Sequence, residues 1–332
     1  MDFNNKKVLI AGGAGFLGTN LALRLAGQGA KLRLTIHDKP LQANFPQADV
    51  MKLDLRRPED CARAVAGMDY VFICAAHTSG AAVIRATPLA HVTPNVLINT
   101  SLLDAAYRAK VRKVCFVSTG AIYPDTGTHP VAESDGMKGD PHEVYFAVGW
   151  MKRYIEVLCR IYGEKIAAPM PTLVVRPSNV YGPYDKFDFA ISHVTAALVR
   201  RVAERHAPLD VWGTGEDIRD LIYVDDFIDG VLAAFAVDRP YFEVNICAGT
   251  GHTVRQVLET LLDVDGYRDA DVRFDPSRPS TIPARLMDNR IARDVLGFEA
   301  RTSLAEGLRR TLEWYRAVHA QDDLARTAPG TS

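Results

Sequence analysis

An α/β fold, a doubly wound parallel sheet followed by a smaller C-terminal α/β lobe, is predicted by three observations. Strand-like apolar runs alternate with helical stretches through the first half of the chain. The first of these runs ends in a cluster of glycines that opens directly into a helical stretch. From about Val180 the alternation yields to a Gly- and Pro-punctuated rhythm. Residues 1–180 therefore carry the large sheet, and 181–320 mainly the smaller lobe, with room for the chain to cross back. From Gln321 to Ser332 periodicity is lost, which predicts a flexible tail.

The elements follow in order. Val8–Ala11 read as a buried strand, and Thr19–Ala26 as the helix after the glycines. Further strands are expected at Lys31–Ile36, Asp49–Leu53, Tyr70–Ala75, Val114–Ser118 and Thr172–Val175. Helical periodicity marks Arg57–Ala66, Pro94–Ala109 and Met151–Tyr162, and Thr93 before Pro94 looks like a capping hydroxyl followed by a first-turn proline. Strands separated by helices imply a parallel sheet covered on both faces, with ligands at the carboxyl ends of its strands. The loops after Ala11, Ala75 and Ser118 should then share one cleft. In the smaller lobe, Ser192–Glu204, Asp226–Ala236 and Val254–Asp263 read as helices, and Leu209–Trp212 and Arg219–Val224 as strands.

Bulk composition narrows the function classes. The 332 residues are 48% hydrophobic and 24% charged, with a formal net charge of −1. That balance gives no reason to expect nucleic acid as a partner. Cys61, Cys74, Cys115, Cys159 and Cys247 are odd in number, scattered and without metal spacing, so no metal site is expected. Three of them lie in apolar runs, as reduced thiols of a cytoplasmic protein would. A strand by residue 7 leaves no room for a signal peptide, and no apolar run approaches the ~20 residues of a membrane span.

The glycines carry the first chemistry. Gly13-x-Gly15-x-x-Gly18 between a strand and a helix fits the dinucleotide fingerprint of a Rossmann-type sheet. Glycine permits the tight turn and close approach to a pyrophosphate, which then meets the free N–H groups of the helix start. The partner acid for a ribose hydroxyl should end the second strand, where Asp38 stands among Thr35, His37 and Lys39. The basic neighbours suit a 2′-phosphate, which favours NADP slightly over NAD, and Asp54 suits the adenine amino group.

Several longer stretches support a resemblance. They are Gly12-x-x-Gly15-x-x-Gly18, Cys74-Ala75-Ala76-His77, Asn95 with Thr100, Ser118-Thr119-Gly120-Ala121-Ile122-Tyr123-Pro124, Arg176-Pro177-Ser178-Asn179-Val180-Tyr181-Gly182-Pro183, Trp212-Gly213-Thr214-Gly215, Arg219-Asp220-Leu221-Ile222-Tyr223-Val224-Asp225-Asp226 and Leu296-Gly297-Phe298. Running nearly end to end, they resemble the extended short-chain dehydrogenase/reductases of the nucleotide-sugar epimerase/dehydratase family. Ser192-His193-Val194 with Arg200-Arg201 resembles its fucose-synthase branch, close to the GDP-mannose epimerases.

The resemblance implies a cofactor site formed by Gly12, Gly15, Phe16, Leu17, Gly18, Asp38, Lys39, Asp54, Leu55, Ala75, Ala76, His77, Asn95, Lys152 and Pro177. It implies a nucleotide-diphosphate sugar, GDP-linked by likeness, held by Ser79, Thr119, Asn179, His193, Arg201, Trp212, Arg219 and Arg285. Thr119 and Lys152 match the family's Ser/Thr and Lys, but the tyrosine expected four residues before the lysine is Val148. Three readings follow: the phenol is lost and the chain turns over poorly, Tyr145 one turn earlier replaces it, or the chemistry needs no phenol. His193 matches the branch's proton-carrying histidine, whereas its cysteine partner is Ala121. Gly120 and Ala121 also stand where a 4,6-dehydratase has an Asp-Glu pair, which argues against dehydration.

The implied reaction is epimerisation or 4-keto reduction. A UDP-sugar 4-epimerase with tightly bound NAD, or a silent protein that binds cofactor and sugar nucleotide, are the rivals. A homodimer is expected by the same likeness, through a four-helix bundle of Pro94–Ala109 and Met151–Tyr162.

Overall fold

The computed structural model describes residues 1–77, 87, 89–278 and 282–327, with side chains to residue 320. Its centre is a seven-stranded, all-parallel sheet ordered β10-β6-β5-β4-β1-β2-β3. The strands are β1 (Lys7–Ala11), β2 (Lys31–Ile36), β3 (Asp49–Lys52), β4 (Tyr70–Ile73), β5 (Lys113–Val117), β6 (Thr172–Pro177) and β10 (Tyr241–Ile246). Side chains alternate across the sheet: Val8 and Ile10 enter one apolar cluster, Leu9 and Ala11 the other. Both clusters are closed to water, so helices must cover both faces.

On the Val8 side lie α1 (Phe16–Gly27) and, later in the chain, α6 (Val224–Phe235), whose Leu21, Leu25, Phe227 and Val231 fill that core. On the Leu9 side lie α2 (Pro58–Val65), α3 (Leu89–Arg108) and α4 (Phe146–Glu164). The smaller lobe contains α5 (Val194–Ala203), α7 (Val254–Asp265), α8 (Arg290–Leu296) and α9 (Leu304–Thr327). Its strands are β7 (Asn179–Tyr181), β8 (Leu209–Trp212), β9 (Ile218–Tyr223), β11 (Gly251–Thr253), β12 (Val272–Asp275) and β13 (Ala284–Arg285). Strand β9 is flanked by β11 and β13 and also pairs with β7, while β8 pairs with β12.

Several expectations change. The chain does cross back: β10 leaves the smaller lobe to pair with β6 on the edge of the large sheet. Helix α3 starts at Leu89, so Pro94 lies inside it instead of at its first turn. Pro94 has no N–H to give back along the helix, and a proline this near the start leaves the rest of the ladder intact. Helix α4 begins at Phe146, ahead of Met151, because no breaker stands between Tyr145 and Met151 except Gly149. Helix α9 runs to Thr327, past Gln321, through Asp-Asp-Leu-Ala-Arg, which contains no Gly or Pro to stop it. Among the described residues no helix is long and apolar enough to cross a membrane.

Candidate active site

The glycine turn sits where β1 ends. Gly12 has φ +87, and a Cβ there would lie 2.7 Å from the backbone of Ala75, so only glycine lets the β1 and β4 loops meet. A Cβ at Gly18 would fall within hard contact of the Gly12 carbonyl, which keeps α1 pressed against the turn. Gly15 precedes Phe16, Leu17 and Gly18 of α1, and no side chain caps that helix start. A bare helix N-terminus over a cradle that any Cβ would fill suits a dinucleotide pyrophosphate. The residues present fit the expected cofactor.

At the adenosine end the charges pair among themselves. His37 Nδ1 is 2.8 Å from Asp38, and Arg56 grips Asp54 through Nε at 2.8 Å and Nη2 at 2.7 Å. Those Arg56 hydrogen bonds hold the Asp54 carboxyl down at about 2. Asp38 and Lys39 are exposed at the end of β2, and Leu55 is buried. Lys186, from the smaller lobe, lies within electrostatic reach of Lys39. Arg56 and Lys186 were not singled out from sequence. The Arg57-Pro58 helix start next to Asp54 was the only local signal for Arg56.

The loop after β4 carries Ala75, Ala76 and His77; Ser79 lies outside the described residues. Asn95 is buried, and its amide is spent on that loop: it accepts from His77 N–H at 2.9 Å and donates to the carbonyls of His77 and His91. It holds the backbone of that loop and of the start of α3.

The segment after β5 is where the two lobes meet. Thr119 caps the one-turn helix Gly120–Ile122 by accepting from Ala121 N–H at 3.1 Å. Gly149 of α4 has no room for a Cβ, which would stand 2.7 Å from the Ala121 carbonyl and 2.5 Å from Pro141. The start of α4 is thereby pressed onto the segment. From the smaller lobe, Arg285 donates to Pro124 O at 2.9 Å, and Met287 faces Gly120 beside the Pro177 carbonyl.

Lys152 is buried, with Nζ donating to Val117 O at 3.0 Å and lying 4.5 Å from the centre of the Phe116 ring. Burial lowers its pKa to about 8, against the pull of Glu156 one turn on. Behind it, Glu156 accepts from Ser118 and Arg176, and Arg176 also reaches Glu243 at 2.9 Å and the Tyr123 hydroxyl at 3.2 Å. This buried lattice fixes the helix that carries Lys152.

Val148 is half-buried and packs on the apolar core that α3 and α4 share. Tyr145 is not one turn back along the same helix face: it closes the short turn Glu143–Tyr145 and is the N-cap of α4. The helix starts one residue later than a shared face requires. From that position its phenol lies within electrostatic reach of both Arg219 and Arg285. Each arginine residue is only 8% exposed, and burial lowers the pKa of both. Arg285 makes no ion pair among the described residues, its donors going to the Tyr123 and Pro124 carbonyls. Arg219, by contrast, donates to Ile218 O at 2.9 Å and pairs with Asp217 at 3.5 Å.

The remaining candidates are spread over the smaller lobe. His193 is exposed as the N-cap residue of α5, and Val194 and Thr195 line a small cavity with Arg219. Arg201 is half-buried over the Phe189 ring at 4.4 Å, whereas Arg200 pairs with Glu204 and Arg205 with Asp265. Trp212, at the end of β8, is 60% exposed, with the Arg278 guanidinium 5.4 Å from its ring centre. Asn179 is half-buried in β7. No group of three or more metal-ligating side chains occurs among the described residues.

The parallel sheet and the glycine cradle at the end of β1 together define a Rossmann-like α/β protein of the dinucleotide-binding kind. The sequence model of the NAD dependent epimerase/dehydratase family matches residues 8–247, and the chain belongs to that family. It is 29% identical over 318 residues to a probable GDP-L-fucose synthase 1 of Oryza sativa subsp. japonica, covering 93% of this chain and 92% of that one. Over 331 residues it is 29% identical to the GDP-L-fucose synthase of Escherichia coli strain K12, covering 94% and 97%. Among solved structures it resembles UDP-glucose 4-epimerase from Thermotoga maritima with UDP-glucose, at a TM-score of 0.84 and 26% identity, covering 94% and 99%.

Proposed function

We propose that this chain is an NAD(P)-dependent nucleotide-sugar epimerase and 4-keto reductase that takes a GDP-linked 4-keto-6-deoxy hexose. The observation that carries the reading is that two buried arginines, Arg219 and Arg285, lie within electrostatic reach of Tyr145, with Arg285 donating to Pro124 O after β5 at 2.9 Å. Buried arginines suit a diphosphate, because the cost of keeping them out of water is offset when a dianion arrives. Trp212 supplies a stacking face for a base, and Arg201 a further cation. Likeness to GDP-L-fucose synthases favours guanine.

The nicotinamide would supply or accept hydride at the sugar C4. Lys152 holds the ribose side of that exchange, and Thr119 orients the sugar hydroxyl. We assign the proton at O4 to Tyr145, the phenol that reaches the arginine pair, since Val148 cannot carry one. His193 moves the proton beside the 4-ketone. With Ala121 in place of a second carrier, a single inversion or plain reduction is favoured over double epimerisation.

Arg56, Lys39 and Lys186 gather cations near the end of β2, which favours NADP. Five unpaired cysteines support a reducing, cytoplasmic setting. A homodimer is supported by Trp150, Tyr154, Val157 and Ile161, exposed large apolar residues in one stripe of α4, with Leu97 on α3.

NADPH consumption on GDP-4-keto-6-deoxymannose tests the proposal. Turnover with that substrate and none with UDP-glucose supports it. UDP-glucose turnover on cofactor that remains bound through purification would replace it with a UDP-sugar 4-epimerase, as the likeness to the Thermotoga enzyme would then suggest.

A further inference from the structure

The phenol assigned to O4 stands at the end of a turn that has its own side-chain clamp. His142 precedes the one-turn helix Glu143–Tyr145, and its Nδ1 accepts the Val144 N–H at 3.2 Å. In a first turn such an N–H has no helix carbonyl to reach, so the imidazole supplies the missing acceptor. The Tyr145 N–H closes the turn on the His142 carbonyl at 2.8 Å. With Nδ1 used as an acceptor, the neutral imidazole carries its proton on Nε2. Asp125 Oδ2 faces Nε2 at 3.9 Å, an ion-pair distance too long for a direct hydrogen bond. The other oxygen of Asp125 accepts the Gly127 N–H at 2.9 Å, so the carboxylate is fixed by its own loop.

The clamp is tied to the arginine beside the phenol. His142 N–H donates to the Tyr123 carbonyl at 3.3 Å, and Arg285 Nη2 reaches the same carbonyl at 3.5 Å. Arg285 Nη1 takes the next carbonyl, Pro124 O, immediately before Asp125. Tyr145 and Asp125 both lie within electrostatic reach of Arg285. The centres of the His142 and Tyr145 rings are 6.3 Å apart, with 55° between their planes. Pro141, the residue before His142, packs on Gly149 of α4 so closely that a Cβ there would stand 2.5 Å from the proline side chain. His142 is therefore held from the segment after β5 on one side and from α4 on the other.

We propose that His142 is a positioning residue for Tyr145, its Nδ1 fixing the turn that presents the phenol and Asp125 favouring the tautomer that leaves Nδ1 able to accept. This rests on the assignment of Tyr145 as the proton carrier at O4. Without the clamp the Val144 N–H turns to water, the start of α4 frays, and Tyr145 swings away from Arg285. Misplacing a reacting group by ~1 Å costs on the order of 10²-fold in rate.

The test compares His142→Asn with His142→Ala in turnover and in amide exchange. Asn places its Oδ1 where Nδ1 stands and keeps the cap, whereas Ala leaves Val144 without an acceptor. His142→Ala should lower kcat by about 10–10²-fold with KM nearly unchanged, and His142→Asn should lose no more than about twofold. Adding His142→Ala to Tyr145→Phe should cost nothing further, because a residue that acts through the phenol is silent without it. In the substrate-free protein, exchange protection of the Val144 amide should fall about five- to tenfold in His142→Ala and keep the parent value in His142→Asn. Equal kcat in the two single variants, or an additive loss in the double one, overturns the proposal. So does unchanged Val144 protection in His142→Ala. Should that variant fail to fold, His142→Gln takes its place, since its amide is one carbon too long for the cap. Exchange needs no substrate, so a silent parent chain with Val144 protection lost in His142→Ala alone sinks the assigned reaction and leaves the clamp standing.

Discussion

Lys152 shows how a single side chain sets both stability and chemistry. Its ammonium is buried against the Phe116 ring and the Val117 carbonyl, and its pKa falls to about 8. The folded protein therefore binds fewer protons than the unfolded chain between about pH 8 and the ordinary lysine value near ~10.5. Stability contributed by this group rises with pH across that window, and below pH 8 the full cost of the buried charge is present. Lys152→Met should then raise the unfolding free energy at pH 7 by about 1–3 kcal/mol, with the gain fading by pH 10, while turnover is lost. Denaturant melts at the two pH values check this, and a destabilised variant at pH 7 would refute it. Arg285 makes a second residue-scale prediction. With its donors on two carbonyls and no ion pair among the described residues, Arg285→Ala should weaken sugar-nucleotide binding by about 2–3 kcal/mol while leaving cofactor affinity intact. Calorimetric titration of each ligand separates the two, and equal losses for both would contradict it.

At the scale of elements, the close approaches are made by glycines. Gly18→Ala drives a Cβ into the Gly12 carbonyl, so α1 must move off the turn that receives the pyrophosphate. Cofactor affinity should fall at least tenfold, with a loss of about 1–3 kcal/mol in stability; unchanged NADPH fluorescence titration would show that the cradle is not where the cofactor sits. The strands and helices around this turn were legible because β1 and the glycines are local signals with a single physical cause. Strand β10 was missed, because Tyr241–Ile246 follows a proline-bearing loop and owes its place to β6, a partner distant in sequence. Strands β11 and β13 are too short for any period to show. Thr93-Pro94 had the chemistry of a helix start, yet the turns before it are also helical. Proline permits a start without enforcing one.

At the scale of the whole molecule, the candidate site lies where return segments of the smaller lobe cross the carboxyl edge of the sheet. Thr119, Lys152, Arg219 and Arg285 could be named from the resemblance, but the place of Arg285 could not, since it depends on β13 bringing it over Pro124. The meaning of Arg56 lies in its partner Asp54 and not in any motif of its own. The exposed stripe on α4 makes the assembly testable. Sedimentation should report a dimer, and Val157→Glu with Ile161→Glu should yield a folded monomer, while a monomeric parent chain would remove the proposed bundle. The most direct measurement is NADPH oxidation on GDP-4-keto-6-deoxymannose by the parent chain, Tyr145→Phe and Val148→Tyr. The account predicts turnover by the parent, a loss of about 10²–10⁴-fold in Tyr145→Phe, and little gain in Val148→Tyr. A silent parent chain restored by Val148→Tyr would contradict it, and would mark the protein as a binder that has lost its phenol.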